Sequence, residues 1–557
     1  MSGACCPSCR RRQERILVAL LLAAVRAEEG VKQDKVESAI SLMLLGSIGF
    51  QMLLFYLVHW QDADIRRYSW GVISGTISIF CAVLLFQGFN GLVEQYIIDE
   101  GGELWEVAVD MIQLVWWLTL MQVFIAITSG AVNEMWGGQQ PSMEKVELNV
   151  NSLAVLFAHV AGFSAINAWG SLQQSIFKSS PLVTLAAVPI GYVGLYIMYQ
   201  GYDRIRDHIS HSDDGIVDEY EKVWDDETEE SENDVAGLSL SFVTVQAIRF
   251  AIGGNLPNQE GIEPPDKQAS HSGHQWQMLL LCGVFFEIFG VLLLNAERCM
   301  REKSERLERI IKILNNYFTF GNAWCFFYGV KWMLCSMHLT EETALLHVCL
   351  ALILSAAAFS AIFLLDKVMD NHLLGEDAEV AENAVEKLIT GLAILIGFSW
   401  EQCFDTAVTV IAESQKEKCP EAIAKLVMSI ILVVVVFPAW RLYILPTERE
   451  LREETTEEGQ KKSMLKEALG QHYQLLMSEE TDEHSLDLAH LRLKEHRRNA
   501  HDLPHPALRA AHGLKHLQVT AKGIMEVDNQ LEHGNGEEKK KKRTTHQKKS
   551  ENVNLLA

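Results

Sequence analysis

Between residues 38 and 446 the chain alternates apolar stretches with short polar breaks. Each stretch runs for roughly 17–29 residues, and a helix rises about 1.5 Å per residue, so each can cross a hydrocarbon core of about 30 Å. The pattern predicts spans at 38–58, 69–97, 105–130, 149–177, 181–203, 236–253, 275–296, 313–336, 343–366, 384–412 and 420–445. The expected fold class is an all-α polytopic membrane protein with about eleven transmembrane helices. The sixth stretch, AGLSLSFVTVQAIRFAIG, is the weakest, because it is short and carries Arg249.

Charge at the ends of these stretches suggests an orientation. RRRQER (10–15) followed by ILVALLLAAV (16–25) and Ala27 fits a signal peptide over 1–27; the CCPSC at 5–9 leaves an uncleaved, acylated N-terminus as the alternative. With the mature N-terminus outside, the loops at 59–68, 131–148, 204–235, 297–312 and 367–383 face the cytosol and hold thirteen Lys and Arg, against four in the opposite loops. Six of the thirteen lie in ERCMREKSERLERIIK (297–312), which is cytosolic only if the sixth stretch crosses. The tail then lies in the cytosol, and the expected location is an integral membrane protein of the secretory pathway, at the plasma membrane or an endomembrane.

AGFSAINAW (161–169) and IGFSWEQCF (396–404) share Gly-Phe-Ser at the same place in a long helix. Aligned there, spans 1–5 match spans 7–11, which predicts a two-fold internal repeat, parallel and linked by span 6. The expected domains are a first five-helix repeat at 38–203, an acidic cytosolic loop at 204–235, a linking helix at 236–253, a second repeat at 275–445 and a helical or disordered tail at 447–557. The acidic loop holds twelve Asp and Glu between 213 and 234 and reads as a solvated linker. The segment 254–274 reads as an ordinary non-cytosolic loop.

The net charge of −24 argues against a nucleic-acid partner. Eleven cysteines contain no CxxC pair in the body, so no metal site or disulfide framework is expected; Cys335 and Cys419, at ends assigned to one side, could pair. Ten histidines from His472 onward lack metal-ligand spacing. Lys539, Lys540, Lys541, Lys542 and Arg543 could meet anionic lipid or stay solvated.

Charges inside a bilayer are costly and tend to face a bundle interior or water. Glu401, Asp405, Glu287, Lys331, Arg249 and Asp110 fall within the spans, with His159, Asn167, Gln87 and Asn90 as polar neighbours. Counting residues at about 1.5 Å each places Glu401 and Glu287 near the midplane and the other four ionisable groups in the outer half. This depth profile suggests a polar cavity that opens outward and narrows toward the two glutamates. Lys331 and Arg249 could instead neutralise Asp405 and Asp110 as structural pairs, and His159 reads as a satisfied core histidine.

No Walker motif, potassium-channel filter, HExxH or GxSxG occurs, so no enzyme and no cofactor is expected. The leading functional expectation is a permease for an ion or small polar solute, with midplane carboxylates able to couple to protons. A gated cation channel and a non-transporting membrane scaffold or sensor acting through its cytosolic tail are the alternatives.

Overall fold

Long helices account for nearly all of the described residues. The computed structural model describes residues 35–98, 102–133, 140–211, 217–300, 305–337, 343–370, 378–414 and 419–453. The signal-peptide reading, the Lys539–Arg543 cluster and nearly all of the tail lie outside them. The helices are α1 (Lys35–Val58), α2 (Ala63–Val93), α3 (Glu103–Ser129), α4 (Met143–Ile176), α5 (Ala187–Ser210), α6 (Glu219–Gly253), α7 (Gly273–Met300), α8 (Glu305–Ser336), α9 (Thr343–Asp370), α10 (Ala378–Ser414) and α11 (Glu421–Ala439). Short π-helical turns extend α2 (Glu94–Ile98) and α11 (Trp440–Ile444), and no strand occurs among the described residues.

Ten of these helices are long and apolar enough to cross a membrane. The exception is α8, long enough but too polar: its first half carries Arg306, Glu308, Arg309, Lys312, Asn315 and Asn316. It nevertheless packs along α6 and α7. Asn315 and Asn316 are buried and Arg309 is half-buried, while Lys312 is exposed, so only part of the low hydropathy here reflects an interior position.

The acidic segment and the weak sixth stretch require a correction. Residues 219–253 form one continuous helix, α6, rather than a solvated linker followed by a short span. Asp218 and Glu221 close a capping box at its start, and Gly254 ends it at φ +75°. Acids near a helix N-terminus oppose the macrodipole favourably, which helps a charge-rich sequence remain helical. The apolar window of α6 is 78% buried and that of α4 is 83% buried, against 11% for α1 and for α11, so α4 and α6 are central.

Three acids of α6, Asp225, Glu232 and Asp234, have partners on other helices, while Asp226 and Glu230 are exposed. Glu232, fully buried, accepts hydrogen bonds from Gln122 of α3 (2.8 Å) and from Arg309 of α8 (2.5 Å). Arg206 of α5 bridges Asp203 and Asp225, each at 2.6 Å. Asn316 donates to Asp234 (2.7 Å) and accepts from Lys387 of α10 (2.9 Å). These bonds tie α3, α5, α6, α8 and α10 together at one end of the bundle.

Two compact units are separable: 1–56, 72–360 and 383–441 make the larger, and 57–71, 361–382 and 442–557 the smaller. Within the smaller, Trp60 packs edge-on against Phe363 at 5.1 Å, and Asp62 caps the start of α2 through the Asp64 amide. All the site residues below belong to the larger unit.

Candidate functional site

The end of the larger unit opposite the Glu232 cluster gathers the C-terminal ends of α2, α4, α6, α8 and α10 with the starts of α3, α7 and α11. The connection from α6 to α7 folds back over it. A turn closes where the Asn258 amide donates to the Ile262 carbonyl (2.9 Å) and the Gly261 amide to the Asn258 carbonyl (2.9 Å). Gly261 sits at φ +82°, a conformation glycine adopts without strain.

This connection is not an ordinary loop, because a buried ion cluster holds it down. Arg249 Nη2 donates to Glu263 Oε1 (2.7 Å), and its Nη1 donates to the Gly261 carbonyl (3.0 Å). The guanidinium lies 3.6 Å from the centroid of the Tyr328 ring. Glu263 Oε2 also accepts from Trp332 Nε1 (3.1 Å) and lies 2.8 Å from His271 Nε2, whose ring stacks on Trp332. Burial alone would push the Glu263 carboxyl up, but the His271 hydrogen bond and the Arg249 charge hold it below the usual carboxylate range.

The Arg249–Asp110 pairing suggested by depth therefore does not form. Asp110 is buried in a different network, on α3. It accepts from Asn167 Nδ2 (3.1 Å) and from the Ser171 hydroxyl, both on α4. Asn90 of α2 accepts from Gln113 (3.2 Å) and Asn167 (3.4 Å) and donates to Glu94 (2.7 Å). Asp110, Asn167 and Asn90 thus lie together, and Glu94 joins them from the π-helical turn.

On the other side, Glu401 of α10 has no accessible surface, and its Oε1 has no hydrogen-bond partner among the described residues. Its Oε2 accepts only from the adjacent Gln402 (3.2 Å). Asp405 follows one turn later on the same helix, half-buried. Lys331 does not pair with it. That lysine lies over the Phe327 ring at 6.0 Å, within electrostatic reach of Arg249, Glu263 and Cys335. Depth estimates locate a residue along a helix but not around it, and the two pairs of the alternative reading do not form.

Glu287 lies elsewhere. It accepts from Asn322 (2.5 Å) and lines a small cavity with Asn315, Thr319 and Lys387, between α7, α8 and α10. His159 is buried with Nδ1 3.5 Å from the Ser78 hydroxyl, a core position between α4 and α2. Cys335 and Cys419 are both free thiols.

The residue that sequence reasoning missed is Glu260. It stands on the folded-back turn, within electrostatic reach of Glu94, Asp405 and Asp110, with Lys425 of α11 the cation nearby. The protein crowded around it, and then the charges of Glu94 and Asp405, push its carboxyl up to about 7. Its surface nevertheless stays exposed. The turn approaches this closely because Gly170 of α4 lacks a side chain: a methyl group there would lie 2.9 Å from the Gln259 carbonyl oxygen. Gln259 also donates to Glu106 of α3 (2.9 Å). A Gly on a helix facing a Pro-containing loop was the available signal, but Gly170 also reads as a simple helix-packing residue.

Comparison with protein-family models, with curated proteins and with solved structures gives no match to this chain.

Proposed function

We propose that the protein is a membrane permease for a small cation or cationic solute, working through Glu401. The observation that carries this reading is the Glu401 carboxylate. It is fully buried, one of its oxygens has no hydrogen-bond partner among the described residues, and a second carboxylate stands one turn away on the same helix. Burying a carboxylate without a partner costs several kcal/mol on the scale of about 2–7 for even a neutral polar group, so such a site favours a proton or cation that supplies the missing charge. Ten apolar helices provide the bilayer setting, and the exposed Glu260 provides an aqueous approach.

The two-fold repeat belongs to the same proposal. Phe163 and Phe398, the central residues of the two Gly-Phe-Ser segments, stack on each other inside the bundle. Gly162 and Gly397 both sit at close helix contacts, against Leu238 and Ile79 respectively. Two equivalent helices meeting at equivalent residues is the relation expected of a repeat interface, where transporter sites are found. An N-terminus outside, a cytosolic tail and a secretory-pathway membrane complete the proposal.

The test is flux in liposomes. Wild-type protein should carry protons or cations down an imposed gradient. Glu401→Gln should reduce that flux at least tenfold, and Lys331→Met, whose lysine lies outside the carboxylate group, should keep it. Wild type without flux under any cation gradient would remove the permease reading.

A further inference from the structure

The permease reading uses Glu401 and leaves a second polar group of the larger unit without a task. Asp110 of α3, Asn167 and Ser171 of α4 and Asn90 of α2 are each at most 4% exposed, and Gln113 of α3 is 9% exposed. Hydrogen bonds join them into one network. Asp110 accepts from Asn167 (3.1 Å) and from the Ser171 hydroxyl. Asn90 accepts from Gln113 (3.2 Å) and from Asn167 (3.4 Å).

The network is unbalanced in one direction. Asn167 Oδ1 and Gln113 Oε1 are buried and have no donor among the described residues. An amide oxygen and nitrogen share one carbon, so both orphan oxygens border the network that their own nitrogens bond. Turning either amide over does not help, because its oxygen would then face the oxygens its nitrogen now bonds. Asp110 adds a carboxylate held only by neutral donors. Lys425 of α11 acts on Glu94, which is half-buried at the end of the network, and leaves Asp110 uncompensated.

Buried polar atoms are normally satisfied, and here two neutral oxygens and one carboxylate all lack a positive partner. A water brings donors but no charge. A proton on Asp110 neutralises the carboxylate and still leaves both amide oxygens bare. A cation serves all three, and ligands that are all oxygen suit a hard one. One carboxylate among neutral carboxamides balances a single charge, whereas a divalent ion would leave a buried excess, which is costly. Burial also excludes a hydration shell, and Mg²⁺ gives up its waters reluctantly.

We propose that Asp110, Asn167 and Gln113 bind a dehydrated monovalent cation of the Na⁺ class, reached past Glu94 and Asn90. Glu94 accepts from Asn90 (2.7 Å) and opens the π-helical turn at the end of α2, a distortion that recurs at functional sites. The binding chemistry stands without the permease reading; the use of this ion to drive that permease rests on it.

The test is thermal unfolding of the full chain in detergent, titrated with NaCl against choline chloride at constant ionic strength. Wild type should be stabilised saturably by Na⁺ and not by choline. Asp110→Asn should raise the half-saturating Na⁺ concentration by about tenfold or more. Gln113→Met, which removes one neutral oxygen, should raise it by a smaller factor. Glu287→Gln, on a carboxylate in a separate cavity, should keep the wild-type response. Equal stabilisation of wild type by the two salts would overturn the site, and is the result expected if a proton alone occupies Asp110. An unshifted response in Asp110→Asn and Gln113→Met, or a response lost in Glu287→Gln, would overturn it too. If Asp110→Asn does not fold, Gln113→Met decides. Saturable Na⁺ stabilisation without flux keeps this site and removes the permease; flux without Na⁺ stabilisation does the reverse.

Discussion

Phe163 of α4 and Phe398 of α10 stack with ring centroids 6.1 Å apart and planes 9° from parallel. They lie 235 residues apart in the chain. Phe398 also packs edge-on against Trp324 (4.9 Å) and Phe327 (4.8 Å) of α8, so one ring links three helices. Large aromatic deletions in cores cost about 3–5 kcal/mol, and an aromatic pair adds about 0.5–1.5 kcal/mol beyond its area. Phe398→Ala should fall in the first range and exceed Phe163→Ala, because it breaks more ring contacts. A double-mutant cycle on reversible unfolding should return a coupling in the second range; zero coupling would mean the stack contributes only area.

Removing one member of the Arg249–Glu263 pair should be worse than removing both. Arg249→Met leaves a buried carboxylate, at a cost of about 3–5 kcal/mol, and Arg249→Met with Glu263→Met together should recover part of that loss. Denaturation midpoints of the three variants check the order. A double variant weaker than either single would show that the pair contributes more than it costs to bury.

The pH dependence carries two opposite signs. Glu263 is held below its usual range when folded, so its contribution is present above the unfolded value of about 4.5 and fades as pH falls through the lowered folded value. Glu260 is raised to about 7, so the folded state binds its proton more tightly, and stability falls as pH rises from about 4.5 through 7. Glu260→Gln should lessen, without abolishing, that fall in the melting-temperature profile and leave the acid limb. Glu263→Gln should flatten the acid limb alone.

Gly170→Ala should lift the turn without disturbing α4, since the new methyl would lie 2.9 Å from the Gln259 carbonyl and real contacts are longer. Faster proteolysis or hydrogen exchange confined to 254–264 is the expected readout. A protein with unchanged exchange in that segment would show that the turn accommodates the methyl.

Arg309→Met should destabilise strongly, because Glu232 is fully buried and the arginine is its charged partner. The additional change Glu232→Gln should restore much of the loss. Thermal melts of the single and double variants decide it.

The helices were legible because an apolar run of span length has few other uses. Even α8, which fails on hydropathy, was marked by the apolar half beginning near residue 313. The acidic half of α6 was misread as solvated because its partners, Arg309, Arg206 and Gln122, come from other helices, and no local pattern announces them. Asp110 and Asn167, both candidates by depth, bond to each other. Depth could not tell that Arg249 faces Glu263 and Lys331 faces Phe327, because helix rotation depends on packing. Glu260 escaped notice because a polar, proline-containing connection looks the same whether it stays in water or folds back.

The folded-back turn also acts before any ligand is bound. Glu260 is exposed beside Glu94, and Glu103 and Glu106 stand at the start of α3 next to it. Lys425 near Glu260 and Lys178, bonded to Glu103 at 2.9 Å, offset only part of this charge, so the turn presents a net negative field to the surrounding water. Anions are repelled there, while cations are enriched whatever their later fate. Compounds that bind at this turn should therefore be organic cations, and their affinity should weaken as ionic strength rises and the Debye length shortens.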